Sequence, residues 1–258
     1  MSEGTLTALV LAGTRGGGDP LAEHAGVSHK ALIPIEGRPM LERVVAAVAQ
    51  VPQVGRILVA IERPEIVSAL APQRVPVTAV PAAAGPSASV AAVLAAEGTP
   101  LLLTTADHAL LQPDWIRQML QADARDADAL VALARSEAVL EVAPGTQRTW
   151  LRFADGDYSG CNLFLLRTPA TARIVNLWQE VEAARKRPLT LLRRLGLTYA
   201  LRYRLGWLSL AGALGRLGRL TSATIQPVIL GDGRAAIDVD KPADLVLVRE
   251  LLSKVKHS

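Results

Sequence analysis

Leu6 to Pro39, LTALVLAGTRGGGDPLAEHAGVSHKALIPIEGRP, is the stretch that most restricts what this chain can fold into. An apolar run, Leu6 and then Ala8 to Leu11, breaks at Gly13 into Arg15 and three consecutive glycines, Gly16 to Gly18. Lys30 follows, and a short apolar run ends at Gly37 and Pro39. A buried strand feeding a glycine-rich basic loop fits a phosphate cradle. Glycine accepts positive φ and lets backbone N–H groups approach an anion, while Arg15 and Lys30 supply countercharge. Two commoner cradles are excluded by spacing. A P-loop needs GxxxxGK[ST], and Gly18 is followed by Asp19; a GxGxxG fingerprint starting at Gly16 meets Leu21 in its last position.

The chain has 258 residues, 50% apolar and 20% charged, so it can bury a sizeable core and reads as one α/β domain or a domain with an insertion. Aromatic residues are only 3%, which argues against stacking platforms for single-stranded nucleic acid, and no nucleic-acid partner is expected. The formal charge of +4 suits anionic ligands. A lone cysteine, Cys161, excludes an internal disulfide and a cysteine-based zinc site within one chain. MSEGTLTALVLAG has no basic n-region, and no segment is apolar for long enough to span a membrane, so a cytoplasmic location is expected.

Hydrophobic periodicity predicts a helix over Pro39 to Gln50, with Met40, Val44, Val45 and Val48 on one face. Strands are predicted at Arg56 to Ile61, Pro100 to Thr105, Asp128 to Ala134, Tyr158 to Leu166 and Ala223 to Leu230. Arg74 to Val80 reads as an edge-like strand, because Pro76 cannot donate to a ladder. Helices fall between them, at Pro64 to Leu70, within Pro81 to Ala96, at Trp115 to Ala122, at Pro169 to Ala184 and from about Pro242 to Val255; Arg135 to Gly156 reads as a loop plus the strand TWLRF. Strands alternating with helices imply a parallel sheet with right-handed crossovers and a ligand site at the carboxyl ends of strands. Asp107 lies just past such an end, where one carboxylate plus phosphate oxygens suits Mg2+. At Gly160 the backbone is open to close approach, and Asn162 offers a donor and an acceptor to a hydroxylated ligand. Cys161 reads as a packing residue, with no activating partner in view.

LAGTRGGG, Lys30 and the trailing LIPIEGRPML together resemble the LAGxRxGG...K signature of the MobA-like nucleotidyltransferases, relatives of the sugar-phosphate nucleotidylyltransferases. The resemblance implies a three-layer α/β/α sandwich with a mostly parallel, mixed central sheet, Rossmann-like and of GT-A type. It would be a single domain over 1–258 with a basic helical insertion at about 185–222. It further implies that Leu11, Ala12, Gly13, Gly16, Gly17 and Lys30 bind nucleotide, and that Arg15, Lys30 and Asp107 are catalytic. Gly85, Ser87 and Ser89 match a Gly...Ser segment that reads base and ribose; N-capping by serine is the competing reading. YSGCNLFLL resembles a Gly-x-Asn strand, which makes Gly160 and Asn162 acceptor residues. IDVDKPADL resembles a terminal DVDTPEDL, which makes Asp238 the second metal ligand beside Asp107, with Asp240 in support and Lys241 in place of the usual Thr.

The implied activity moves a nucleoside monophosphate from an NTP, CTP or GTP favoured, to a phosphorylated small-molecule acceptor with release of pyrophosphate and Mg2+ as cofactor. Acceptors implied are a sugar, polyol or amino-alcohol phosphate, or molybdopterin. The alternatives are a GT-A glycosyltransferase using a sugar nucleotide and a non-catalytic, membrane-associated nucleotide-binding module. The latter draws on Arg185 to Leu220, which is rich in Arg and Leu and has no acid. That segment reads as a helical insertion packed on the core, an acceptor lid, a homo-oligomer contact or a peripheral membrane contact.

Overall fold

The computed structural model describes residues 2–14, 19–124, 126–146, 148–184 and 196–255. Arg15, Gly16, Gly17 and positions 185–195 of the basic segment lie outside the described residues. The central sheet is built from β1 (Leu6–Leu11), β4 (Val54–Ile61), β5 (Val77–Pro81), β6 (Leu101–Thr105), β7 (Ala129–Arg135), β8 (Leu151–Phe153), β9 (Gly156–Leu166) and β10 (Ile225–Leu230). Its order is β10-β7-β9-β6-β1-β4-β5, with β8 paired to β9. The β5-β4-β1-β6 half is parallel, and β10 is parallel to β7. Between the two, β9 runs antiparallel to both β6 and β7. A separate two-stranded ribbon, β2 (Pro34–Ile35) and β3 (Arg38–Pro39), turns on Glu36 and Gly37, both at positive φ.

Alternation along β1 decides the layers. Leu6, Ala8 and Val10 enter one core, while Leu9 enters the other. A strand buried on both faces must be apolar throughout, which is why LTALVL carries no charge. The first core lies under α2 (Met40–Ala49), α5 (Pro113–Gln121) and α10 (Pro242–Val255); the second lies under α4 (Pro86–Glu97) and α7 (Thr171–Ala183). α2 begins right after Pro39 and buries Met40, Leu41, Val44, Val45 and Val48. β5 is an edge strand, and it starts one residue after Pro76.

The stretch expected to be a loop after Arg135 instead opens with a helix, α6 (Ser136–Val142). It is two turns long and buries Val139 completely while Leu140 stays exposed, too little periodicity to separate it from a loop. α6 packs against a 3-10 turn, Gly233–Ala236, so closely that a Cβ on Gly233 would come 2.1 Å from the Ala138 carbonyl oxygen. That turn aims the following residues at the end of β6, where the Val239 N–H donates to the Asp107 carbonyl at 3.0 Å. Two helices, α8 (Leu197–Arg204) and α9 (Leu210–Thr221), precede β10, and α9 packs on it. Among the described residues no helix is long and apolar enough to cross a membrane.

Candidate active site

A cleft of about 710 Å3 opens at the carboxyl ends of β1, β4 and β6. Leu11, Ala12, Gly13 and Thr14 form its floor from β1, and Thr105, Ala106 and Asp107 enter from β6. Ala82 to Pro86 and Ser89 form one wall, and Lys30 and Asp240 the other. Gly13 leaves little room for a side chain, since a Cβ there would stand 3.0 Å from that of Ala82.

Lys30 is held between two carboxylates. Its ammonium donates to Asp107 Oδ2 at 3.0 Å and to Asp240 Oδ1 at 2.8 Å. Burial is the largest single influence on Lys30 and works against its charge, but Asp107 and Asp240 together outweigh it and keep its pKa above the ordinary lysine value. Burial pushes the Asp107 carboxyl up, the Lys30 ammonium and the Thr105 hydroxyl pull it down, and the Asp238 and Asp240 carboxylates add to the rise. The gap between Asp107 and Asp240 therefore already accepts a cation. Two carboxylates open to a cleft fit a hard divalent ion that takes its remaining ligands from phosphate oxygens and water. Among the described residues no cluster of three or more His, Cys, Asp or Glu could hold a metal unaided.

Behind this pair, one network ties the start of the glycine loop to the backbone that carries Lys30. The Thr14 hydroxyl and amide both donate to Glu62, at the end of β4. Glu62 Oε1 also lies 3.1 Å from His29 Nε2. The Ala31 N–H donates to His29 Nδ1 at 3.0 Å, so the proton of the neutral ring sits on Nε2 and faces Glu62. Burial raises Glu62, but the Thr14 bonds and His29 outweigh it and hold the carboxyl below its usual value. Neither His29 nor Glu62 was among the expected site residues. A glutamate after a strand and a histidine before a lysine carry no spacing signal of their own.

The three residues expected to read base and ribose do different things. Gly85 and Ser89 line the cleft. The Ser89 hydroxyl accepts the Ala83 N–H at 2.9 Å and donates to the Gly85 carbonyl at 3.0 Å, which shapes the wall. Ser87 is buried, and its hydroxyl donates to Glu182 of α7. That carboxylate sits at the N-terminus of α4, where the helix dipole favours it, and ties α4 to α7.

Asp238, expected to be the second metal ligand, is not part of the cleft lining. Arg148 donates to its Oδ1, and Asn162 donates to its Oδ2 at 2.8 Å. Asn162 takes a left-handed backbone, φ +46°, which asparagine tolerates better than most residues. Its side-chain amide is thereby committed to Asp238, while Gly160 two residues earlier is exposed with open space at its Cα. Burial pushes the Cys161 thiol up to about 12, and the residue packs in the main core. His108 is also buried, stacked on Trp115 at 5.8 Å, and burial lowers its pKa to about 4. It is a neutral core residue although it directly follows Asp107.

A mixed sheet with its cleft at the carboxyl ends of the parallel strands, glycine and lysine on one side and carboxylates on the other, is the arrangement of the α/β nucleotidyltransferases. The family model of the MobA-like NTP transferase domain matches residues 8–229, and the chain belongs to that family. No curated protein matches it. Among solved structures, it is similar to a hypothetical transferase from Thermus thermophilus, 31% identical over 93% of this chain and 98% of that one, with a TM-score of 0.79. It shares its fold with the CMP:2-keto-3-deoxy-manno-octonic acid synthetase complexed with CTP, 14% identical over 98% and 100% of the two chains, TM-score 0.59. It also shares it with Rv0371C from Mycobacterium tuberculosis in complex with manganese, 16% identical over 95% and 98%, TM-score 0.52.

Proposed function

We propose that this protein transfers a nucleoside monophosphate from an NTP to a phosphorylated small molecule and releases pyrophosphate. The observation that carries the reading is the Lys30 ammonium between Asp107 and Asp240 at the mouth of a glycine-floored cleft. CTP is the first nucleotide to test, because a synthetase of the same fold binds it, and GTP the second. The acceptor belongs to the class of sugar, polyol or amino-alcohol phosphates or molybdopterin, and the cytoplasm is the setting in which such substrates meet.

Each group has a role in this reading. The backbone from Leu11 to Gly13, with Gly16 and Gly17, cradles the phosphates, and Arg15 and Lys30 neutralise the charge that grows on the leaving pyrophosphate. Gly85 and Ser89 wall the nucleoside, while Ser87 acts from behind through Glu182. Asp107 and Asp240 hold Mg2+, which on binding supplies charge neutralisation at the α-phosphate. Asp240 replaces Asp238 as the second ligand because its carboxylate lines the cleft, whereas both Asp238 oxygens are engaged by Arg148 and Asn162. Gly160 and Asn162 border the acceptor. An acceptor phosphate is ionised at neutral pH, so the protein needs no general base, and its contribution is positioning.

A screen of four NTPs against phosphorylated acceptors, with Mg2+, with Mn2+ and with chelator, tests this directly. Metal-dependent pyrophosphate release that Lys30→Ala or Asp107→Asn lowers by orders of magnitude supports it. If no pair yields pyrophosphate while a sugar nucleotide donates its sugar, the glycosyltransferase alternative takes its place.

A further inference from the structure

Helix α8 is amphipathic in the reverse sense for a helix on a protein surface. Its two tyrosines make its ring contacts with the rest of the protein, although Tyr203 stays 39% exposed. The Tyr199 ring lies beneath Arg216 and Arg219 of α9, 5.1 and 5.9 Å from their guanidinium carbons, and its hydroxyl accepts from Arg219 at 2.6 Å. The Tyr203 ring meets Phe153 edge-on at 5.6 Å, and its hydroxyl accepts the Arg152 N–H at 3.3 Å. With about 100° between successive residues, the opposite face carries Leu197 and Leu201, and Leu205 continues the line. These leucines are 68%, 59% and 47% exposed. Gly206, at φ +69°, turns the chain so that the Trp207 N–H donates back to the Arg202 carbonyl, and Trp207, two residues after Leu205, is 72% exposed. Arg202 and Arg204 are exposed on the same helix. From Gly196 to Gly231 there is no acidic residue. The nearby Asp155 is used to accept the Leu210 N–H, and Asp157 lies against Arg152.

We propose that this face docks on an anionic lipid bilayer. A leucine stripe with an exposed tryptophan and two flanking guanidiniums matches an interface that is apolar within and negatively charged at its surface. Charge complementarity selects the bilayer over a second copy of the chain. A two-fold contact through this face would bring the Arg202 and Arg204 of both copies into one interface, to which the stretch from Gly196 to Gly231 contributes no acid. The proposal concerns where the protein works and stands apart from the chemistry proposed for the cleft.

Co-sedimentation of the full chain with vesicles of mixed phosphatidylglycerol and phosphatidylcholine, beside pure phosphatidylcholine, tests the docking. The wild-type chain is expected to pellet with the anionic vesicles only and to be released by high salt. The double variant L201E/W207A should lower partitioning by about tenfold or more, and R202E/R204E should abolish the preference for anionic vesicles. All four positions are exposed, so circular dichroism and the thermal midpoint should match wild type in both variants. Absence of pelleting overturns the proposal, as does pelleting that both variants leave unchanged. A concentration-dependent dimer that L201E dissolves, without vesicle binding, also overturns it and assigns the face to a second copy.

Discussion

Lys30 Nζ and Asp240 Oδ1 stand 2.8 Å apart although 210 positions of sequence separate them. Asp238, only two residues before Asp240, is bonded instead to Arg148 and Asn162. The two aspartates therefore have different partners. Asp240→Asn is expected to lower pyrophosphate release by about 100-fold or more and to raise the divalent-ion concentration needed for half-maximal rate. Asp238→Asn should keep the ion requirement and cost about 1–3 kcal/mol of stability, because Arg148 loses its charged partner in a mostly buried place. Turnover against Mg2+ concentration for both variants checks this. A raised ion requirement in the Asp238 variant alone would reverse the assignment.

Glu62 is expected to act on nucleotide affinity without touching the nucleotide. Glu62→Ala releases Thr14 and His29 together, and with them the cleft floor at Thr14 and the backbone that carries Lys30. The KM for the NTP should rise about tenfold, with a smaller change in kcat, as for a lost uniform binding interaction. Glu62→Gln keeps an oxygen that accepts from Thr14 and should recover part of the loss. Equal KM values in the two variants would argue against a positioning role.

Gly233→Ala is expected to destabilise the fold by about 1–3 kcal/mol or more, because its Cβ would collide with the backbone of Ala138 and Val139. Gly231→Ala meets nothing within 4 Å and serves as the control. Denaturant midpoints of the two variants provide the comparison, and equal midpoints would contradict the close packing of the turn on α6.

Asp128 links the ends of three strands. The Thr168 hydroxyl and the Thr224 N–H both donate to it, and these bonds, more than any other influence, hold its pKa below the ordinary aspartate value. A depressed folded-state pKa stabilises the protein above the unfolded-state value of about 3.9, and this contribution is lost as pH falls through the folded-state value. Asp128→Ala should thus lower the thermal midpoint at pH 7, and its gap to wild type should shrink below about pH 4. A gap that widens on acidification would contradict the assignment.

The buried strands and their crossover helices were legible because strands such as LTALVL and PLLLTT are apolar without interruption and flanked by Gly, Pro or Asp. Pro76 marked the edge for a stated reason, its missing donor. The direction of β9 was not legible, since period-two patterning is the same for parallel and antiparallel neighbours. α6 escaped because two turns with one fully buried side chain leave no periodicity. Asp107 could be named from the strand end that carries it, and Lys30 from the glycine-rich run LAGTRGGG that precedes it. The choice between Asp238 and Asp240 could not, because the run that carries them is irregular chain, and strand alternation does not say which side chain turns toward Lys30. Glu62, His29 and Glu182 act through pairings made only when distant elements meet.

The position of Asp240 also separates scaffold from clamp along the chain. The cleft takes its floor from β1, and one wall carries Asp240, which follows β10 in sequence. Every strand of the central sheet therefore precedes the carboxylate that completes the pair around Lys30. Changes at Asp240 can alter the charge of the cleft while leaving the sheet that frames it untouched.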